Sequence, residues 1–165
     1  MKKKLYIETS VWNQLIHTDR VDWCETAEFF FTTIKNGYYE PYISTVVVDE
    51  INATTDPDIQ TQLITHLNNV EPIMLDFSDE ALALTKEYIT SEFENNKSKS
   101  VYNDCRHVAV TTVNGLKHIV SFNCRHLVND RRIDGFNATN IHNGYDYIID
   151  ISTPHKFIVT ENEDK

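Results

Sequence analysis

Short apolar runs alternate with longer helical periods along this chain, and that alternation limits the fold more than any other feature. Lys4 to Ile7, Tyr38 to Ile43, Ile73 to Leu75 and His118 to Phe122 read as strands. Shorter β segments are expected near Thr139 to Ile141 and Tyr147 to Ile151. Between them lie helical periods. Thr9 or Ser10 can cap a helix running toward His17, and Asp22 to Lys35 places Trp23, Ala27, Phe30, Phe31 and Ile34 at helical spacing before Asn36-Gly37. Ser44 caps a short helix through Ile51, and Asp58 to Asn68 forms another. Ser78 caps one running to about Phe93, and Tyr102 to Val113 follows a polar loop over 94–100. Thr153-Pro154 reads as a last helix start. Pro41 lacks a backbone donor, which puts its strand at an edge or a bend. Strands separated by helices imply an α/β fold, a three-layer α/β/α arrangement around a mostly parallel central sheet.

The 165 residues fit one domain over 1–160, with 161–165 a charged tail. No run approaches the roughly 20 apolar residues of a membrane span, and Glu8 interrupts the N-terminal apolar run before a signal peptide could form. Cys24, Cys105 and Cys124 are scattered, without a CxxC pair, so neither a zinc site nor a disulfide framework is indicated. A cytoplasmic protein with reduced thiols is the expectation. The net charge of −10 argues against a generic nucleic-acid binder. It leaves room for an enzyme that meets nucleic acid through a local patch, and it suits a basic protein partner. Arg125, His126, Arg131 and Arg132 form the one basic stretch beyond the N-terminus.

Four polar residues sit beside these apolar runs. Glu8 and Asn123 follow strands, Glu50 lies in the Val46 to Ile51 helix, and Asp104 lies in the helix that carries Val101, Cys105, Val108, Ala109 and Thr112 on one face. In parallel sheets, sites form at the carboxyl ends of strands. Carboxylates gathered there suit a hard divalent cation with oxygen ligands and waters. Each also has an ordinary explanation: Glu8 and Asp104 favour helix N-termini, Asp49 and Glu50 can be solvated surface acids, and Asn123 can end a strand. Asp49 and Glu50 compete for the same role. His107, one turn beyond Asp104, could hydrogen-bond near such a site or be structural.

Four segments together resemble the PIN domain, the metal-dependent nuclease fold of VapC-like type II toxin ribonucleases and of stand-alone PIN-domain proteins. Tyr6-Ile7-Glu8-Thr9-Ser10-Val11-Trp12 looks like the opening strand, acid and Thr-Ser turn. Ser44 to Ile51 looks like the second, acid-bearing helix. Asp104-Cys105-Arg106-His107-Val108-Ala109 resembles the DxxHxA helix, and Ile119 to Leu127 the strand ending in the last polar position. The resemblance implies an endoribonuclease in which Glu8, Glu50 and Asp104 hold Mg²⁺ or Mn²⁺ and Asn123 positions a metal-bound water or the RNA. Thr9 and Ser10 would orient Glu8, and Ser10 and Arg125 would meet the substrate. It further implies a homodimer, possession of an antitoxin partner, and no membrane association. Two positions depart from the pattern. Glu8 and Asn123 stand where the family usually has Asp, so one carboxylate is longer and one negative charge is missing. These departures motivate a second expectation, a protein that keeps the fold and acts by binding RNA or protein.

Overall fold

The computed structural model describes residues 1–17 and 19–160, so the tail expected over 161–165 lies outside the described residues. Five strands form one all-parallel sheet in the order β3-β2-β1-β4-β5. They are β1 (Lys3–Ile7), β2 (Tyr39–Ser44), β3 (Ile73–Leu75), β4 (His118–Val120) and β5 (Asp150–Ser152). The helices are α1 (Thr9–Ile16), α2 (Val21–Lys35), α3 (Thr45–Asn52), α4 (Pro57–Val70), α5 (Asp79–Glu92), α6 (Lys99–Val113) and α7 (Asp130–His142), followed by a 3-10 turn at Pro154–Phe157. The helices flank the sheet in two packed groups, α1 with α2 and α4, and α5 with α6 and α7. This is the expected PIN-like α/β architecture.

β1 is the middle strand, and its Leu5, Tyr6 and Ile7 are fully buried, as a parallel strand covered on both faces requires. Trp12, Phe30, Val47, Val108 and Ile119 complete the same core. Phe30 and Phe31 of α2 are buried and Phe29 is exposed, so that aromatic helix mainly serves the core. From β1 the chain steps outward through β2 to β3. It then returns to the other side of β1 for β4 and β5. The strand order therefore reverses between β1 and β4, and at such a switch point the crevice beyond the carboxyl ends of the strands is open to a ligand.

Several local expectations change. β2 is an interior strand, yet β3 pairs only with Tyr42–Ser44, so Pro41 has a neighbour on the β1 side alone and its missing N–H is tolerated. The segment Thr139 to Ile141 belongs to α7. Phe136, Asn137, Thr139 and Asn140 are buried there at helical spacing, and the polar character of three of them conceals the period. The Asn137 side chain pairs with both main-chain groups of Ile149 (3.1 and 2.9 Å), fixing α7 just ahead of β5. Glu8, rather than Thr9 or Ser10, caps α1. Ser98 caps α6 one turn earlier than expected, so Asp104 sits inside the helix and not in its first turn.

Candidate functional site

Glu8 leaves β1 at the switch point, where its main-chain N–H bonds Val120 of β4 (3.0 Å). Its side chain curls back to cap α1. Oε2 accepts from the Ser10 N–H (2.9 Å), the Ser10 hydroxyl and the Ser121 hydroxyl (3.0 Å). The additional methylene of Glu makes this return possible, and among the described residues no hydrogen bond reaches Oε1. Ser121 also accepts from the Asn123 N–H (2.9 Å), so one buried hydroxyl ties Glu8 to the segment after β4.

Glu50 and Asp49 separate cleanly. Asp49 is exposed and pairs with Arg106 (3.2 Å). Glu50 turns inward, where Oε1 accepts from the Thr9 hydroxyl (2.8 Å) and meets Nε2 of His107. Thr9 thus orients Glu50, not Glu8. His107 is fully buried, and its Nδ1 meets the Tyr6 hydroxyl (2.7 Å), which contacts Ser44 Oγ (2.7 Å). Burial pushes the His107 pKa down. The Glu50 hydrogen bond and the charges of Glu50, Glu8 and Asp104 outweigh that, holding it above its ordinary value. Burial raises Glu50, and His107, Thr9 and Arg106 reverse this to leave it below the usual carboxylate range. The two directions agree: the contact between His107 and Glu50 favours the charged form of each partner.

Asp104 faces the segment after β4. Its Oδ1 accepts from the Asn123 amide (3.1 Å) and its Oδ2 meets His126 Nδ1 (2.9 Å). The Asn123 side-chain carbonyl accepts from the His126 N–H (3.1 Å). Burial lifts the pKa values of both Glu8 and Asp104, and Glu50 and Asp104 push Glu8 further. Arg125 is exposed, while Ser10 is engaged by Glu8 and by the Phe122 N–H.

The fold therefore brings Glu8, Glu50, Asp104 and Asn123 together, with Ser10 beside them. Tyr6, Ser44 and Ser121 join them without having stood out as site residues, and His126, read in the sequence as part of the basic stretch, meets Asp104. A Tyr in a strand and a Ser between apolar residues look like ordinary core and turn residues until their partners, which are remote in sequence, are in place. Among the described residues no group of three or more His, Cys, Asp or Glu side chains is placed, as it stands, to hold a metal ion. The donor chemistry still fits a hard cation. Glu8 and Asp104 are buried and Glu50 is partly exposed, and the charges of Glu50 and Asp104 raise the proton affinity of Glu8 while His107 lowers it. Shape alone does not select this place, since a cavity of about 1040 Å³ opens elsewhere beside Lys2, Phe31, Tyr39 and His66.

Solved structures share this architecture. The chain is similar to VapC20 of Mycobacterium tuberculosis, a sarcin–ricin loop cleaving toxin, at TM-score 0.57 and 14% identity, covering 73% of this chain and 91% of that one. It is similar to DNA-bound VapBC from Salmonella typhimurium at TM-score 0.55 and 16% identity, over 93% and 99% of the two chains. It is also similar to FitAcB from Neisseria gonorrhoeae at TM-score 0.53 and 11% identity, over 91% and 97%. At these identities the likeness is one of fold, and the fold is the PIN-like one. No protein-family model matches the chain, and no curated protein sequence matches it. Among the described residues no helix is long and apolar enough to cross a membrane.

Proposed function

We propose that this chain is a divalent-metal-dependent endoribonuclease and the toxin of a toxin–antitoxin pair. The observation that carries the reading is the convergence of Glu8, Glu50 and Asp104 from three separate elements at the β1/β4 switch point, with Asn123 hydrogen-bonded to Asp104. Glu8, Glu50 and Asp104 would hold Mg²⁺ or Mn²⁺, directly or through waters. Such an ion, when bound, supplies a lowered pKa for a coordinated water and charge neutralisation at a phosphodiester.

The surrounding residues prepare that site. His107 and Thr9 hold Glu50 in one orientation. Ser10 and Ser121 hold Oε2 of Glu8, and among the described residues Oε1 accepts no hydrogen bond. Asn123 and His126 orient Asp104. Preorganisation of this kind matters because loosely supported ligands lose metal affinity. RNA as substrate is supported by the fold shared with a ribosomal-loop-cleaving toxin, and an antitoxin partner by the fold shared with VapBC and FitAB complexes. A homodimer belongs to the same reading, with Arg125 on the exposed rim as the phosphate contact.

The test is RNA cleavage by purified protein in Mn²⁺. Asp104→Asn is expected to abolish cleavage, and undiminished cleavage by that variant overturns the assignment. One observation favours a second reading, a binding protein without catalysis: both oxygens of Asp104 are already taken by Asn123 and His126. Calorimetric titration with Mn²⁺ separates the two. No binding at millimolar metal would leave only the second.

A further inference from the structure

Beside the acids stands a stack that the proposed chemistry does not use. The Trp23 ring lies on Phe122, centroids 4.9 Å apart and planes 18° from parallel. The Arg20 guanidinium carbon sits 3.7 Å from the Trp23 centroid. At these separations the two partners would overlap if they shared one face of the indole, so they take opposite faces. The result is a layered Phe122–Trp23–Arg20 stack whose outermost layer is a flat cation. Asp22 holds it flat by contacts to both Nε (3.3 Å) and Nη2 (3.2 Å). The Arg20 side chain is 48% exposed, and the neighbouring Val21 is largely exposed.

The inner layer is tied to the site. The Phe122 N–H donates to Ser10 Oγ (2.9 Å), whose hydroxyl donates to Glu8, and Phe122 directly precedes Asn123. A group resting on the stack is therefore registered against the acids through one rigid connection. In a chain of net charge −10 the Arg20–Trp23 pair is one of several guanidinium–aromatic pairs near the site, with Arg106 over Phe77 and Arg132 over Phe93, and it is the one whose ring lies on Phe122. Guanidinium planes stack on nucleobases, and aromatic platforms receive unpaired bases with little sequence preference.

We infer that the Arg20 face of this stack is a nucleobase subsite, taking one unpaired base of a single-stranded RNA next to the phosphate presented to Glu8, Glu50 and Asp104. The inference rests on the nuclease reading and deepens it. A duplex offers no free base face, so single strands are preferred.

The test measures binding rather than turnover, in the Asp104→Asn background, with a short fluorescein-labelled single-stranded RNA of mixed sequence and the same RNA annealed to its complement. Anisotropy gives affinity. Trp23 emission gives an independent signal, because the other tryptophan, Trp12, is fully buried and serves as an unchanging background. Single-stranded RNA is expected to quench Trp23. Trp23→Ala is expected to weaken binding at least about fivefold, and Trp23→Phe to restore most of it. Arg20→Lys, which keeps the charge and loses the plane, should weaken binding nearly as much as Arg20→Ala. Both Arg20 changes are at the surface and decide the matter if Trp23→Ala fails to fold. Mn²⁺ binding, measured on each Arg20 or Trp23 variant with Asp104 intact, should match that of the parent. Equal single-strand affinity across the variants, or full binding by Arg20→Lys, overturns the subsite while leaving the nuclease reading standing. Absence of RNA binding by every protein, with Mn²⁺ bound by those that keep Asp104, overturns both.

Discussion

Asn123 meets Asp104 as a hydrogen-bond donor, and this single contact shows what one atom decides. An Asp at that position would set two carboxylates about a hydrogen-bond length apart, where each disfavours ionisation of the other. The amide instead donates to one Asp104 oxygen, while His126 engages the second. Asn123→Asp is therefore expected to lower metal-free stability by about 1–3 kcal/mol, the range for leaving a charged group without its hydrogen bond. The same change should enlarge the stabilisation produced by Mn²⁺. Urea unfolding with chelator and with Mn²⁺ checks both halves, and a variant unchanged in chelator contradicts the contact's role. Glu8 illustrates the same scale. Its length, which looked awkward for a metal ligand, lets Oε2 reach back to cap α1.

At the scale of elements, α4 is anchored by few groups: Leu63 is its one fully buried apolar side chain, and His66 packs edge-on against Trp12 of α1 and Phe31 of α2. His66 Nε2 is buried without a hydrogen-bond partner, and burial pushes its pKa down to about 4. The folded state thus resists protonating a group that the unfolded chain protonates near 6.5. Its contribution is complete above about pH 6.5 and is lost as pH falls toward about 4. His66→Phe should remove part of that acid sensitivity and raise stability at neutral pH by about 1 kcal/mol, since a ring replaces an unsatisfied nitrogen. Urea midpoints measured from neutral to acid pH would show it, and an unaltered pH slope would contradict it. Elements of regular pattern were readable in the sequence. The alternation of apolar runs and helical periods identifies β1 through β4 and the Ser44 and Ser78 caps of α3 and α5, because strand and helix periods are properties of neighbouring residues. α7 was misread near Thr139 because its buried face is polar, and the start of α6 was read a turn late because Lys99 and Ser100 look like loop.

For the molecule as a whole, ligand linkage provides the broadest check. If folded protein binds Mn²⁺ and unfolded chain does not, an ion concentration one hundred times the dissociation constant adds about 2.7 kcal/mol to the unfolding free energy. Chelator should remove that gain, and it should be absent from a Glu8→Gln, Glu50→Gln protein. A thermal transition indifferent to Mn²⁺ in the parent contradicts the metal site. The sequence by itself determined the α/β class, the strands and helices that carry Glu8, Glu50, Asp104 and Asn123, and the PIN resemblance, since these depend on local period and on short motifs. Only the tertiary structure decided what those residues touch. It placed buried His107 against Glu50, turned Glu50 in and Asp49 out, made Glu8 a cap and Asn123 a donor, and laid Arg20 on Trp23 and Trp23 on Phe122. Such contacts join residues up to a hundred or more positions apart, as Ser121 joins Glu8, and the strand order that creates them reverses at β1 and β4. That reversal is a property of global packing, to which no local stretch of sequence is sensitive.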